Sequence, residues 1–252
     1  MRLKRIGARV VSRIFSLRPV RSKEGLRILL YHSVGSLITN NYYGISVGTK
    51  AFERQMNILS QTEGLEFVSL DQSQLRDRRL LVAITFDDGF KDNLYSAAPV
   101  LAELNTPFTV FITASFVGSG SSDYLSKQEL RELCALPGAV IGSHGVTHCR
   151  LTECDGVKLA RELTDSRRMI EDMIGRPVTA ISYPHGSVNK RVRDAAERAG
   201  YAVGCTSQFG ANDNQQDPLL LRRCEIVSGD TERIFIEKLN GHWDWKAWIP
   251  QA

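Results

Sequence analysis

Residues 81–90 read LVAITFDDGF, an apolar run that ends in two adjacent carboxylates and a glycine. The apolar part has the length and composition of a buried β-strand. Neighbouring carboxylates repel each other, and the end of a buried strand is an unfavourable place to remove both from water. Asp87 and Asp88 therefore indicate either a turn or a site whose chemistry uses negative charge.

Strand-like and helix-like segments alternate on both sides of this stretch. Further strands are predicted at 27–34, 107–114, 139–144, 178–184 and 201–207. Helices are predicted at 50–62, 93–105, 126–136, 151–175 and 190–200, the third of them with a capping box in which Ser126 precedes Glu129 by three residues. This alternation predicts βα units around a mostly parallel sheet or barrel.

Polar residues follow three of these strands: Asp87 with Asp88, His144, and the segment 183–186. The carboxyl ends of parallel strands carry the site in barrels and open α/β sheets. His144 and His148 are four residues apart and would face the same side if the stretch turned helically. Two imidazoles and one carboxylate suit a divalent metal, which would leave the second aspartate free as a base.

Three short segments resemble successive motifs of one known family: TFDDG at 85–89, SHGVTH at 143–148 and SYPHG at 182–186. The family is the polysaccharide deacetylases of carbohydrate esterase family four, the NodB-homology group. The resemblance covers roughly residues 26–242. It implies a distorted (β/α) barrel and a metal-dependent hydrolase that removes N-acetyl groups from amino sugars of a polysaccharide, oligosaccharide or glycolipid precursor.

The resemblance also implies roles for single residues. Asp88, His144 and His148 would bind the metal, most simply zinc, and Asp87 would be the general base that deprotonates the attacking water. The backbone N–H of His185 would stabilise the oxyanion.

The sequence departs from the family pattern at three points. Gly145 stands where the second motif has Ser or Thr, so a supporting hydrogen bond is absent. Ser182 stands where the third motif has the Arg that orients the base. Arg223 is a candidate replacement for that Arg, and a surface ion pair is the alternative for it. A C-terminal Leu-x-His segment, the usual source of the general acid, is not evident.

An N-terminal segment, YHSV at 31–34, resembles the Tyr-His segment of a permuted branch of the family. In that branch an N-terminal His takes the place of the general acid. His32 is therefore the preferred acid, and His185 is the alternative. Two other functions remain open: the same site acting on O-acetyl esters or another non-peptide C–N bond, and a glycan-binding protein whose hydrolytic site has decayed.

The N-terminus differs in charge from the rest of the chain. Residues 1–23 carry eight Lys and Arg and no acid, whereas the remainder carries 24 basic and 28 acidic residues. Residues 1–22 have helical apolar spacing and form an expected amphipathic tail, either solvated or lying on an anionic membrane, ahead of a catalytic domain at 23–252. No nucleic-acid partner is expected. The lack of a secretory signal favours a cytoplasmic protein, with peripheral contact at the inner membrane face.

Overall fold

The computed structural model describes residues 25–36, 44–70 and 80–248 of the 252-residue chain. The expected N-terminal helix, and with it the boundary between tail and domain, lies outside these residues. No helix in the described ranges is long and apolar enough to cross a membrane.

Ten strands are present in the described ranges, and eight of them form one parallel sheet. They are β1 (Gly25–Tyr31), β2 (Ser33–Val34), β3 (Ser46–Val47), β4 (Leu65–Phe67), β5 (Leu80–Phe86), β6 (Phe108–Ile112), β7 (Ala139–Ser143), β8 (Ala180–Ser182), β9 (Val203–Cys205) and β10 (Arg223–Glu225). The sheet runs in the order β10-β1-β5-β6-β7-β8-β9, with β4 paired to β5, while β2 and β3 pair separately.

The sheet is curved into a barrel, so that its two end strands, β9 and β10, lie close to each other. A parallel bridge joins Cys205 of β9 to Leu221, just before β10. Parallel strands that close in this way bring all their carboxyl ends to one rim. The predicted (β/α) barrel is therefore confirmed.

Six α-helices flank this sheet within the described ranges. They are α1 (Thr49–Ser60), α2 (Ala98–Glu103), α3 (Lys127–Ala135), α4 (Gly156–Ile174), α5 (Lys190–Arg198) and α6 (Glu232–Leu239). The capping box predicted for α3 is confirmed, since Glu129 N–H donates to Ser126 Oγ at 3.2 Å and Ser126 N–H donates to Glu129 Oε2 at 2.8 Å. α4 begins at an Asp155 cap and ends at Gly175 in the left-handed conformation with φ 70°.

The core lies on both faces of β5, whose seven residues are all buried. Tyr31, Phe52 and Phe86 pack ring to ring at centroid distances of 5.2 to 6.0 Å. Aromatic rings in this arrangement add packing energy beyond the area that they bury. The end of β5 that precedes the two aspartates is thus packed against aromatic side chains of β1 and α1.

Candidate active site

The two aspartates stand at the carboxyl end of β5, beside the end of β1. β1 and β5 pair in register with Tyr31 opposite Phe86, and Asp87 N–H extends the ladder by donating to Tyr31 O at 3.0 Å. Both side chains are buried, at 3 % exposure for Asp87 and 8 % for Asp88. The strand end therefore brings two carboxylates into the rim of the barrel with little access to water.

Asp88, His144 and His148 converge on one point at this rim. His148 Nε2 lies 3.2 Å and His144 Nε2 3.6 Å from Asp88 Oδ1. The three side chains can each present a ligand atom within 4.8 Å of the others. Two imidazoles and a carboxylate at this spacing form a site that could hold a divalent metal ion with positions left for water and substrate.

Two further observations fit a metal at this point. Asp88 Oδ1 is buried and has no hydrogen-bond partner in the part of the chain that the structure describes, although buried carboxylate oxygens normally have one. His144 Nδ1 lies 2.7 Å from Ser182 O, so Nδ1 carries the proton and Nε2 presents its lone pair to Asp88. Metal-binding histidines are oriented by hydrogen bonds of this kind.

Burial lowers the pKa of His144 to about 4, although the charges of Asp87 and Asp88 act in the opposite direction. The ring is therefore neutral at pH 7. Its approach to Asp87 Oδ2 at 3.8 Å is not an ion pair under those conditions. A neutral imidazole is the form that binds a metal.

The segment from His144 to His148 is a loop, so the helical turn considered for it is wrong. Gly145 has φ +75° and His148 has φ +59°, values that an α-helix does not contain. Among the described residues, four non-glycine residues have positive φ, and three of them, Asp88, His148 and His185, lie at this rim. Strained backbone of this kind concentrates at functional sites.

Asp87 is held by a buried arginine. Arg223 Nη1 donates to Asp87 Oδ1 and Nη2 to Asp87 Oδ2, each at 2.7 Å, and Ser182 Oγ donates to Oδ2 at 3.0 Å. Arg223 is 0 % exposed and also donates from Nε to Thr206 O at 2.8 Å. The surface ion pair considered for Arg223 is wrong.

The charge state of Asp87 follows from these contacts. Burial acts to raise the pKa of Asp87, but the charge of Arg223 and its hydrogen bonds to both carboxylate oxygens outweigh burial and hold the pKa well below its usual range. The carboxylate is therefore ionised and oriented, which a general base requires.

His32 directly follows β1 and lies near enough to Asp87 for the two side chains to interact electrostatically. Asn93 Nδ2 donates to His32 O at 2.8 Å, which fixes the backbone there. His32 Nδ1 is buried and makes no hydrogen bond to any described residue. Asn93 was not singled out from the sequence, because an amide six residues after Asp87 has no pattern that marks it.

The His148 ring contacts His144 and also a third histidine, His185. The ring centroids of His148 and His185 are 4.4 Å apart, and His185 Nε2 lies 3.2 Å from His148 O. Burial, followed by the charge of His148, lowers the pKa of His185. His185 also borders a cleft of about 1120 Å³ that runs past Asn189 and Gln208.

Comparison with known proteins agrees with this geometry. A family model described as polysaccharide deacetylase matches residues 75–204. YxkH of Bacillus subtilis, classed by its name among the polysaccharide deacetylases, is 31% identical over 223 residues, which are 85% of this chain and 77% of that protein. Poly-beta-1,6-N-acetyl-D-glucosamine N-deacetylase of Staphylococcus aureus is 23% identical over 240 residues, covering 88% of this chain and 80% of that protein.

A solved structure shares the fold. The Streptococcus pyogenes deacetylase PplD, solved in complex with acetate, superposes with a TM-score of 0.74 at 22% identity, covering 86% of this chain and 99% of that one. The family match extends over half of the chain and includes the strand ends that carry Asp87, Asp88, His144 and His148. The chain belongs to the polysaccharide deacetylase family.

Proposed function

We propose that this protein is a metal-dependent N-deacetylase that hydrolyses the N-acetyl groups of amino sugars in a glycan. The observation that carries the proposal is the juxtaposition of the Asp88, His144 and His148 cluster with an Asp87 carboxylate that Arg223 holds ionised. A binding protein has no need for an oriented base beside a metal site.

The metal that we propose is zinc, held by Asp88, His144 and His148. Two imidazoles and one carboxylate are a ligand set typical of catalytic zinc, which keeps further positions open. When bound, such an ion polarises the acyl oxygen and makes water acidic enough to attack near neutral pH.

Asp87 is the proposed general base. Both of its oxygens are anchored by Arg223, and Oδ2 also accepts from Ser182, so the carboxylate stays in one orientation as it takes the proton of the attacking water. The water oxygen joins the acyl carbon, the C–N bond breaks, and acetate and a free amine result. The negative charge that develops on the acyl oxygen is stabilised in part by the backbone N–H of His185.

The leaving nitrogen needs a proton, and His32 is the proposed donor. A general acid must carry its proton at the working pH. His185, the alternative, has a lowered pKa and is neutral at pH 7, which makes it the poorer donor. His32 directly follows β1 at the same rim and interacts electrostatically with Asp87, so its ring lies beside the proposed base.

The proposed substrate is a chain of N-acetylated amino sugars. The two relatives described above, which each match most of this chain, bear names of polysaccharide or poly-N-acetylglucosamine deacetylases. The cleft beside His185, of about 1120 Å³, is lined mostly by polar and charged residues, which suits the hydroxyl groups of sugars. We further propose that residues 23–252 form the catalytic domain and that residues 1–22 hold it at the inner, anionic face of a cytoplasmic membrane.

Acetate release from N-acetylated oligosaccharides tests the proposal, with wild-type protein and Asp87→Asn compared after metal loading. The wild type should release acetate, whereas Asp87→Asn should lose at least about 100-fold in rate while keeping its metal. Unchanged turnover in Asp87→Asn would refute its role as base. Release from O-acetylated glycans alone would move the substrate to esters, and binding without release would favour the decayed glycan-binding protein.

A further inference from the structure

We infer that Glu162 is a positioning residue of the metal site, which fixes the loop that carries both histidine ligands. The inference rests on the metal site of the proposed function. It concerns a side chain on helix α4 whose hydrogen bonds, among the described residues, go to the loop between the two histidines and not to the ligand atoms or the base.

The Glu162 carboxylate is buried, at 3 % exposure, and faces the loop between His144 and His148. Oε2 accepts hydrogen bonds from Val146 N–H at 2.7 Å and from Thr147 N–H at 3.0 Å. Oε1 accepts from Thr147 Oγ1 at 2.6 Å. One carboxylate therefore binds the two residues that immediately precede His148.

These bonds determine the loop conformation, because a buried carboxylate is strongly destabilising unless hydrogen-bond donors surround it. A loop that swung away from α4 would strip the carboxylate of three donors. The loop also contains His148 with φ +59°, a conformation that a residue with a side chain keeps only where its surroundings impose it.

Gly145 is matched to Glu162 in shape. A Cβ at position 145 would lie 3.1 Å from Glu162 Oε2, closer than ordinary van der Waals contact, and φ there is +75°. The carboxylate thus fills the space next to the residue that follows His144. The hydrogen bond that Gly145 lacks is replaced by those that Glu162 accepts from Val146 and Thr147.

The variant Glu162→Gln keeps the shape of the side chain but turns one acceptor oxygen into an NH₂ group that faces an N–H or O–H donor. We expect zinc affinity, measured by competition with a chromophoric chelator, to fall at least about tenfold. In metal-free protein, amide exchange at Val146 and Thr147 should become at least about tenfold faster, since those N–H groups lose a charged acceptor.

Glu171→Gln is the matched control. Glu171 lies on the same helix and also accepts two hydrogen bonds, from Arg167 Nε at 3.0 Å and Val178 N–H at 2.9 Å, but none from the loop between His144 and His148. In the Glu171→Gln variant, the zinc affinity and the amide exchange rates at Val146 and Thr147 should stay within about twofold of wild type. A general weakening of α4 would affect both variants alike.

A second pair keeps the test open if Glu162→Gln fails to fold. Thr147→Val removes the hydroxyl that donates to Glu162, and Thr147→Ser keeps it. Thr147→Val should bind zinc more weakly than wild type by about threefold or more, and Thr147→Ser should restore the affinity. Wild-type affinity in Glu162→Gln or in Thr147→Val would overturn the inference.

The two proposals fail separately. If the wild type binds no zinc, the metal site is refuted, while amide exchange in the metal-free protein still decides whether Glu162 holds the loop. Unchanged exchange at Val146 and Thr147 in Glu162→Gln would refute the role of Glu162 even if wild-type protein binds zinc and releases acetate.

Discussion

Removing the Arg223 guanidinium should cost both stability and activity, through Asp87. The substitution Arg223→Met keeps the length and the apolar stem of the side chain but deletes its charge. Asp87 then loses two hydrogen bonds of 2.7 Å and keeps only the bond of 3.0 Å from Ser182. Its carboxylate remains buried at 3 % exposure.

The size of the stability loss follows from that burial. Breaking a buried ion pair by removing one partner costs about 3–5 kcal/mol, because the remaining charge is left without compensation. In a domain of this size a loss of 1 kcal/mol lowers Tm by about 2–4 °C, so a fall of roughly 10 °C is expected. The double variant Asp87→Asn with Arg223→Met should be more stable than Arg223→Met alone, by about 2 kcal/mol, because no buried charge remains.

The contribution of Asp87 to the free energy of unfolding depends on pH with a defined sign. In the wild type the folded-state pKa of Asp87 lies below its unfolded value, so its contribution to stability is present above about pH 4 and is lost as the pH falls further. In Arg223→Met, burial without the guanidinium raises the pKa of Asp87 above the unfolded value. The stability gap between the two proteins should therefore narrow as the pH falls. The acid limb of the rate profile in the variant should move up by at least about one pH unit.

Denaturant unfolding at pH 7 and pH 4, together with the pH profile of acetate release, measures these effects. Arg223→Lys serves as a comparison that restores the charge but not the paired geometry, so its stability should be intermediate. A loss below about 1 kcal/mol in Arg223→Met, with an unmoved acid limb, would contradict the reasoning that Arg223 keeps Asp87 ionised.

Three further perturbations have defined outcomes. Burial acts to raise the pKa of Glu129, but hydrogen bonds, first those from Ser126, outweigh burial and lower that pKa to about 2. Glu129→Gln should therefore lower the free energy of unfolding by about 1 kcal/mol at pH 7. Urea unfolding should show this loss disappear as the pH falls from about 4.5 to about 2. Gly89→Ala places a Cβ 2.9 Å from Ile112 Cδ1 at φ +80°, so it should lose about 1–3 kcal/mol, and an unchanged Tm would contradict the strain. Deletion of residues 1–22 should abolish sedimentation with anionic vesicles and leave acetate release intact; vesicle binding that survives the deletion would exclude the tail as the anchor.

The barrel was predictable because its elements repeat along the chain. β5 was predicted from an unbroken apolar run, and α3 from its capping box, and both lie where the sequence placed them. These elements depend on local composition and periodicity, which a single sequence displays.

Other elements could not be read in this way. β4 and β10 have only three residues each, and β10 begins with buried Arg223, so neither shows strand periodicity. The predicted helix 93–105 is present, but its first turn is a π-helix, Asn93–Ala97. The amide of Asn93, used to bind His32 O, carries no local signature.

The candidate site was predictable in its residue types but not in its support. Residues Asp87, Asp88, His144 and His148 stand out because they follow strands that meet at one rim. The loop conformation at His148 depends on the packing of α4 against that loop. The Glu162 side chain on α4 contacts Val146 of the loop, although the two residues are sixteen positions apart along the chain. Positive φ at a non-glycine residue is imposed by tertiary structure, so no sequence rule would have predicted it.

The most direct test of the metal site is the metal content of the purified, zinc-reconstituted protein, measured by elemental mass spectrometry. His144→Ala and His148→Ala are compared with wild type, and His242→Ala is the control for removal of a histidine outside the site. We expect about one zinc ion per chain in wild type and in His242→Ala, and none in the other two variants. Wild-type protein that stays free of metal, or zinc retained in His144→Ala and His148→Ala, would contradict the assignment of Asp88, His144 and His148 as its ligands.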